Sequence, residues 1–356
     1  MHLFADCALL PGGWRDDVAV EIEADGRIGQ VASGATAATG AQHVGLLLPA
    51  PVNAHSHAFQ RAMAGLAERR GSEGQDSFWT WRALMYRFLD RLIPDDVEAI
   101  AALVQVEMLE AGYAACVEFH YLHHQPDGTP YDQLAEMSER IAAAAAQTGI
   151  GLTLLPVLYR FGGCDARPLG PGQRRFGNDL DRYARLVDSA GAAMLDLAPD
   201  AGIGVAPHSL RAVSPDDLTS VEGLLPDRPI HMHLAEQAAE VSEVEAAYGK
   251  RPVELLLDIA APDPRWCMIH CTQMQAQETE RLARTGAVAG LCPITEANLG
   301  DGVFDGAAWV GHGGAIAIGS DSNVRIALSE ELRLLEYGQR LRDRARAVLA
   351  PEGRST

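Results

Sequence analysis

No apolar run in this chain approaches the roughly 20 residues that a membrane-crossing helix needs, so no bilayer span is expected. The first residues include Asp6, Trp14, Arg15, Asp16 and Asp17 and lack the layout of a signal peptide. Cysteine is scarce. Six cysteines among 356 residues do not make a disulfide framework, which points to a reducing, cytoplasmic setting. Cys267 and Cys271 lie close together near a strand end, yet no second cysteine pair follows, so they read as small core residues rather than a zinc knuckle. Positive charge is also short: 29 Lys and Arg face 48 Asp and Glu, a formal net charge of −19. That balance excludes nucleic acid and anionic membrane as expected partners and leaves a small molecule. An anionic substrate would need specific arginines to create a local positive site. There is no internal repeat, and the alanine run at 142–146 is simply good helix sequence.

What the chain does have, after residue 44, is a regular alternation of strand-like and helix-like segments. The apolar run from Val44 leads to His55 and His57 and reads as a first strand. Further strands are expected at 114–120, 152–159, 203–208, 229–234, 266–270, 287–292 and 315–321. Helices are expected at 95–111, 131–148, 180–197, 215–225, within 236–259, at 279–285 and after Ser329. Gly112 and Gly149 stand where C-terminal caps belong. Ser329 is expected to cap the last helix, with Glu330 and Glu331 facing its positive end. Eight strands interleaved with helices is the count of an α/β fold of the (β/α)8, TIM-type barrel, assigned here to residues 44–350. Residues 1–43 differ: 18–23 followed by Asp25-Gly26-Arg27-Ile28 reads as a hairpin of a small β-domain. A chain of this length accommodates both.

Chemistry-bearing residues gather at strand ends. His55 and His57 are spaced i, i+2, so on one strand they share a side and can grip one metal ion. His231-Met232-His233-Leu234-Ala235-Glu236 ends the fifth strand, Ile269-His270 the sixth and Gly319-Ser320-Asp321-Ser322 the eighth. Each piece alone is weak. A lone His-x-His is more often a hydrogen-bonded pair, and a lone aspartate in Gly-Ser-Asp-Ser is often a turn residue. Their joint arrival at the C-terminal ends of barrel strands, where barrel chemistry sits, argues for one metal-dependent hydrolase site.

With those residues in view, the chain resembles the amidohydrolase superfamily, in its mononuclear deaminase branch. No carboxylated-lysine position stands out among the strands. Three longer motifs sharpen the likeness: residues 53–66 (Asn53-Ala54-His55-Ser56-His57 through Leu66), residues 77–82 (Ser77 to Arg82) and Thr295-Glu296-Ala297-Asn298-Leu299-Gly300-Asp301-Gly302. These are similar to the formimidoylglutamate deiminases. The resemblance implies hydrolysis of N-formimidoyl-L-glutamate to N-formyl-L-glutamate and ammonia, a step of histidine breakdown. It implies one Zn²⁺ held by His55, His57, His233 and Asp321; Fe²⁺ accepts the same ligands. It further implies Asp321 as acceptor of the water's proton, Glu236 as proton shuttle and His270 as partner of the attacking water. Gln60, Arg82, Tyr121, His208 and Arg211 would line the substrate pocket.

Within the resemblance, His233 is preferred over His231 as ligand because of its spacing to Glu236. His120, His123 and His124 read as loop residues. Phe78, Trp79 and Trp81 are expected to pack the loop that carries Arg82. Two alternatives stand beside the main expectation: a deaminase of a purine- or pterin-type ring, and a truncated, inactive metal-binding remnant. The second arises because family members supply further strands after the last helix, and here those strands are expected to be missing. A homodimer is the expected assembly, although no residue pattern specifies it.

Overall fold

The structure, a computed structural model, describes residues 1–67 and 78–351. It divides into two compact units, Met1–Pro51 and Val52–Thr356. In the first unit, β1 (His2–Leu10), β2 (Gly13–Ile22), β3 (Ile28–Ala32) and β4 (Gln42–Leu47) form one sheet in the order β3-β2-β1-β4. The expected hairpin is the antiparallel β2–β3 pair. β1 is an addition: it pairs antiparallel with β2, so β2 is an inner strand rather than an edge. β4 corrects the expectation for the apolar run at 44–48. That run does not lead into the barrel but belongs to β4, which pairs parallel with β1, and the expected boundary after residue 43 falls inside β4. Its burial shows the reason: a barrel strand buried on both faces is enclosed throughout, whereas Leu46 is 58% exposed.

The second unit is the barrel. Its strands are β5 (Val52–Ser56), β6 (Ala115–His120), β7 (Gly151–Leu158), β8 (Gly202–Ile203), β9 (Ala206–Pro207), β10 (Ile230–Leu234), β11 (Trp266–His270), β12 (Val288–Leu291) and β13 (Ala315–Ile318). All ladders between them are parallel. β8 and β9 both pair with β7, so they are one interrupted strand and the barrel count is eight. The interruption was not expected and lies at Gly204, where any Cβ would collide with the Pro229 carbonyl and Leu155. Two bridges close the ring, Val205 to Ile230 and Ser56 to Asp321. β10 and β11 are buried at every position, as strands covered on both faces are, His231, His233 and His270 included.

Helices connect successive strands: Pro94–Glu110, Glu136–Thr148, Leu180–Ala193, Pro215–Glu222, Ala238–Tyr248 with Pro252–Ile259, Ala276–Ala283, and Pro293–Leu299 with Gly306–Gly311; Leu328–Asp343 follows the last strand. Gly149 ends its helix in the left-handed conformation at φ 78°, as its position predicts. The last helix differs from expectation. Its N-cap is Ala327, and Ser329 lies inside the first turn. Glu331 turns instead to another helix: its side chain accepts from the Ile294 N–H, at the start of Pro293–Leu299, at 2.8 Å. Arg82 sits on a helix, Phe78–Leu89, not on a loop. Ser77 and the side chains of Phe78 and Trp79 lie outside the described residues.

Candidate active site

Every strand of the barrel delivers a residue to one end. His55 and His57 come from the end of β5, Tyr121 follows β6, Tyr159 follows β7 and His208 follows β9. His233 lies on β10 with Glu236 just after it, His270 ends β11, Thr295 follows β12 and Asp321 follows β13. The backbone bends sharply there. Ala235, His270, Cys271 and Asp321 all have positive φ, between 47° and 72°. Strained backbone at side chains this closely packed is the mark of a working site.

Four donor atoms meet at the bottom. His55 Nε2 lies 3.2 Å from both His57 Nε2 and His233 Nε2. Asp321 Oδ1 lies 3.2 Å from His57 Nε2 and 3.5 Å from His55 Nε2. The tautomers follow from the far side of each ring. His57 Nδ1 donates to the Phe119 carbonyl at 2.9 Å, and His233 Nδ1 donates to the His208 carbonyl at 3.0 Å. A carbonyl only accepts, so both Nδ1 atoms carry the proton and both Nε2 atoms present lone pairs inward. Lone pairs pressed together at this range call for a cation. A backbone carbonyl behind the imidazole is also what a metal-binding histidine ordinarily has. Burial, and then the neighbouring histidines, hold His55 and His233 well below the usual imidazole range, so the neutral, ligating form is the stable one. Burial pushes Asp321 up, but the neighbouring imidazoles, His57 first and then His270, outweigh it and hold the carboxyl below its usual range. The four residues could therefore hold one metal ion. The chain's single lysine, Lys250, lies after the Ala238–Tyr248 helix, so no strand lysine can bridge a second metal.

Above this cluster opens a cavity of about 590 Å³. It is lined by His57, Gln60, Arg82, Tyr121, His208, Arg211, His233, Glu236, His270 and Asp321, so every expected site residue except His55 reaches it. His55 lies fully buried beneath. Glu236 Oε1 stands 3.7 Å from His270 Nε2, and its Oε2 stands 4.0 Å from Arg211. Burial works to lower His270, but Glu236, Glu296 and Asp321 outweigh it and hold the ring well above the usual range, as imidazolium. Gln60 Nε2 donates to the Tyr121 hydroxyl at 2.7 Å, while Gln60 Oε1 is buried without a partner.

Several contributors escaped the sequence reading. Glu296 bonds His270 Nδ1 at 3.2 Å. Tyr86 and Tyr159 line the cavity, as do Trp81, Thr295 and Ser322. Trp81 thus faces the pocket as well as packing. A belt of small polar groups ties the closing seam: Asn53 Nδ2 donates to Ser320 Oγ at 2.7 Å, and Asn323 Nδ2 to Ser56 Oγ at 3.1 Å. His120 is not a loop residue but ends β6, and His123 and His124 are buried, donating to the carbonyls of Val157 and Gly177 at 3.0 Å each. His231 shares the inward side with His233 yet stands outside the donor cluster. Cys267 and Cys271 are buried free thiols, as expected.

Comparison with known proteins gives the same picture. The model of the amidohydrolase family matches residues 46–352, most of the chain. The chain belongs to the amidohydrolase family. A second family model, described as formimidoylglutamate deiminase HutF, N-terminal domain, matches residues 1–43. The formimidoylglutamate deiminase of Pseudomonas aeruginosa is 49% identical over 345 residues, which covers 97% of this chain and 76% of that protein. A 5-methylthioadenosine/S-adenosylhomocysteine deaminase of Haloarcula marismortui is 26% identical over 298 residues, covering 81% of this chain and 61% of that protein. Among solved structures, an amidohydrolase from Brucella melitensis superposes with a TM-score of 0.96 at 51% identity, covering 99% of this chain and 78% of that one. A zinc-containing adenosine deaminase from Xanthomonas campestris shares the fold, with a TM-score of 0.78 at 21% identity, 98% of this chain and 76% of that one being covered. Among the described residues of this amidohydrolase no helix is long and apolar enough to cross a membrane.

Proposed function

We propose that this amidohydrolase converts N-formimidoyl-L-glutamate and water to N-formyl-L-glutamate and ammonia, a step of histidine degradation. One observation carries the reading: Arg82 and Arg211 line the same cavity as the donor cluster, Glu236 and His270. A dicarboxylate needs fixed cationic forks, and arginine offers a carboxylate two parallel hydrogen bonds. The P. aeruginosa relative supports the same reaction by its name.

His55, His57, His233 and Asp321 would hold one Zn²⁺, or Fe²⁺, which accepts the same ligands. When bound, the metal supplies Lewis acidity that brings a water's pKa towards neutrality. The remaining work belongs to the chain. Asp321, held ionised, accepts a proton from the attacking water. His270, fixed through its Nδ1 by Glu296, presents a cationic Nε2 that orients the water and offsets developing negative charge. The water oxygen bonds to the formimidoyl carbon, and the terminal C–N bond breaks with its electron pair on nitrogen. Glu236 carries to that nitrogen both protons that the water gives up, the first passed on from Asp321 and the second from the carbon-bound hydroxyl as the carbonyl forms, so it leaves as ammonia. Gln60 Oε1, an acceptor without a partner, suits the amidine N–H. Arg82 and Arg211 anchor the carboxylates and fix the reacting carbon in place. Six free thiols and the absence of a membrane-length helix among the described residues support the cytoplasmic setting.

The test is ammonia release from N-formimidoyl-L-glutamate by zinc-loaded protein, with the second product identified. N-formylglutamate beside ammonia is the expected result. Formamide and glutamate would mean that the other C–N bond is cut. No product from soluble, metal-loaded protein would refute the reading and direct the work to a purine and pterin panel.

A further inference from the structure

The hydrogen bonds around Arg82 constrain two neighbouring tyrosines. Arg82 Nε donates to the Tyr86 hydroxyl oxygen, and Arg82 Nη2 donates to that of Tyr159 at 3.2 Å. A guanidinium only donates, so both tyrosine oxygens are acceptors in these bonds. Tyr159 accepts a second time, from Gln173 Nε2 at 2.8 Å. The other end of that amide decides its orientation: Gln173 Oε1 accepts from the Gly170 backbone N–H at 2.8 Å. A backbone N–H cannot accept, so oxygen belongs there and nitrogen faces Tyr159. The Tyr159 oxygen thus takes two hydrogen bonds and the Tyr86 oxygen takes one, and each hydroxyl keeps its own proton to give. Neither gives it to an acceptor among the described residues. Both side chains line the cavity beside Arg82, His208 and Arg211. Burial raises the Tyr86 hydroxyl to about 12, so it remains a donor at working pH.

We propose that Tyr86 and Tyr159 are specificity-determining residues that donate their O–H groups to one carboxylate of the substrate, with Arg82 held beside them as the counter-charge. This rests on the deimination reading above and adds two donors to its arginine pair. A carboxylate is an acceptor with about four lone-pair sites, which a single guanidinium sharing its edges with two tyrosines leaves partly unmet. Each O–H is polarised by the cationic N–H it accepts from, which strengthens its own donation. A substrate without that carboxylate leaves both protons unanswered in a partly desolvated wall, so the same pair discriminates against neutral analogues.

Tyr86→Phe and Tyr159→Phe each remove one oxygen and keep the ring that packs on Phe176, whose centroid lies 6.3 Å from that of Tyr86 and 5.5 Å from that of Tyr159. Turnover of N-formimidoyl-L-glutamate is compared with that of N-formimidoyl-4-aminobutanoate, which lacks the α-carboxylate, and N-formimidoyl-2-aminobutanoate, which lacks the other. Each variant is expected to raise KM for the full substrate about tenfold, the scale of a hydrogen bond to a charged group, with a smaller change in kcat. The penalty should vanish on the same truncated substrate for both variants. An unchanged KM, or an equal penalty on all three substrates, would overturn the proposal and reduce the tyrosines to props for Arg82. If the wild-type protein releases ammonia from none of the three, the deimination reading fails by itself. Calorimetric binding of glutarate then decides the tyrosines: binding weakened about tenfold in each variant supports the carboxylate receptor, and binding that is unaltered or absent refutes it.

Discussion

Adding one methyl group at Gly319 is expected to loosen the metal while leaving every donor atom in the chain. Gly319 ends the seam strand against β5, and a Cβ built there lies 2.8 Å from the Cβ, the N and the O of His55. Ordinary carbon contacts begin at about 3.5 Å, so the two strands must part by roughly 0.7 Å or more. Two of the three obstacles are backbone, which cannot swing aside. The shift is carried straight into the donor cluster, because the His55 carbonyl accepts from the N–H groups of Ser320 and Asp321 at 3.0 and 2.9 Å, and the Asp321 carbonyl accepts from His57 at 2.9 Å. Metal sites tolerate about 0.2 Å in ligand distance. The displacement exceeds that severalfold, so Gly319→Ala should weaken metal binding about 10- to 100-fold, the scale seen when supporting groups of a metal site are disturbed. Overpacking itself should lower stability by about 1–3 kcal/mol. The assay is zinc retained per chain after dialysis against a graded series of chelator, read by mass spectrometry beside a thermal melt that establishes folding. A folded Gly319→Ala protein that keeps zinc as tightly as wild type, with unaltered kcat, would refute the reasoning that the seam sets the donor geometry.

Other expectations follow from the same geometry. Glu236→Gln should retain metal yet lose about 10²- to 10⁴-fold in kcat, as a lost proton carrier does; near-normal turnover would sink its shuttle role. Arg211→Met should act mainly through KM, by about 10-fold or more, because it removes charge-assisted hydrogen bonds made before and during reaction; a KM equal to wild type would remove Arg211 from substrate recognition. Chelation should lower Tm, since a ligand at 100 times its Kd stabilises by about 2.7 kcal/mol; a melt indifferent to chelator would mean that the cluster holds no metal. Burial raises Glu331 to about 9, against the Ile294 hydrogen bond and helped by the Glu296 and Asp321 charges. The folded chain therefore holds a proton there that the unfolded chain releases above the ordinary carboxylate pKa of 4.5, so this contribution to stability falls as pH rises from about 4.5 to about 9. Glu331→Gln should flatten that fall, and urea midpoints at pH 5.5 and 8.5 that decline as steeply as in wild type would contradict it.

The barrel was legible because parallel strands buried on both faces are written as unbroken apolar runs, and because metal donors mark their ends. β11 has this form up to His270 at its end, and β10 keeps it except for His231 and His233. The donor set was legible for the same reason: histidine pairs and Gly-Ser-Asp are conspicuous at strand termini. The rest depends on neighbours far away in sequence. The run at 44–48 is as apolar as a barrel strand, and only its parallel partner β1 decides that it lies in the other unit. The break at Gly204 is imposed by Pro229 and Leu155 from adjacent strands. Tyr86 and Tyr159 are common residue types on unremarkable local patterns, and Glu296, although inside the 295–302 motif, shows no sign there of its partner; all three acquire a role only through His270 and Arg82, to which they hydrogen-bond. Ser329 has the chemistry of a cap, yet the helix begins before it and its N-cap, Ala327, makes no side-chain cap bond.

The closing seam also sets an order of events in time. Asn53 and Ser320, hydrogen-bonded across it, are 267 residues apart. A ribosome exposes His55 and His57 first, His233 later and Asp321 last, so through much of synthesis a metal ion would meet only part of the donor set. The full donor set exists only once the last strand has found the first. Tight retention of a metal by these four residues would therefore report that the ring has closed.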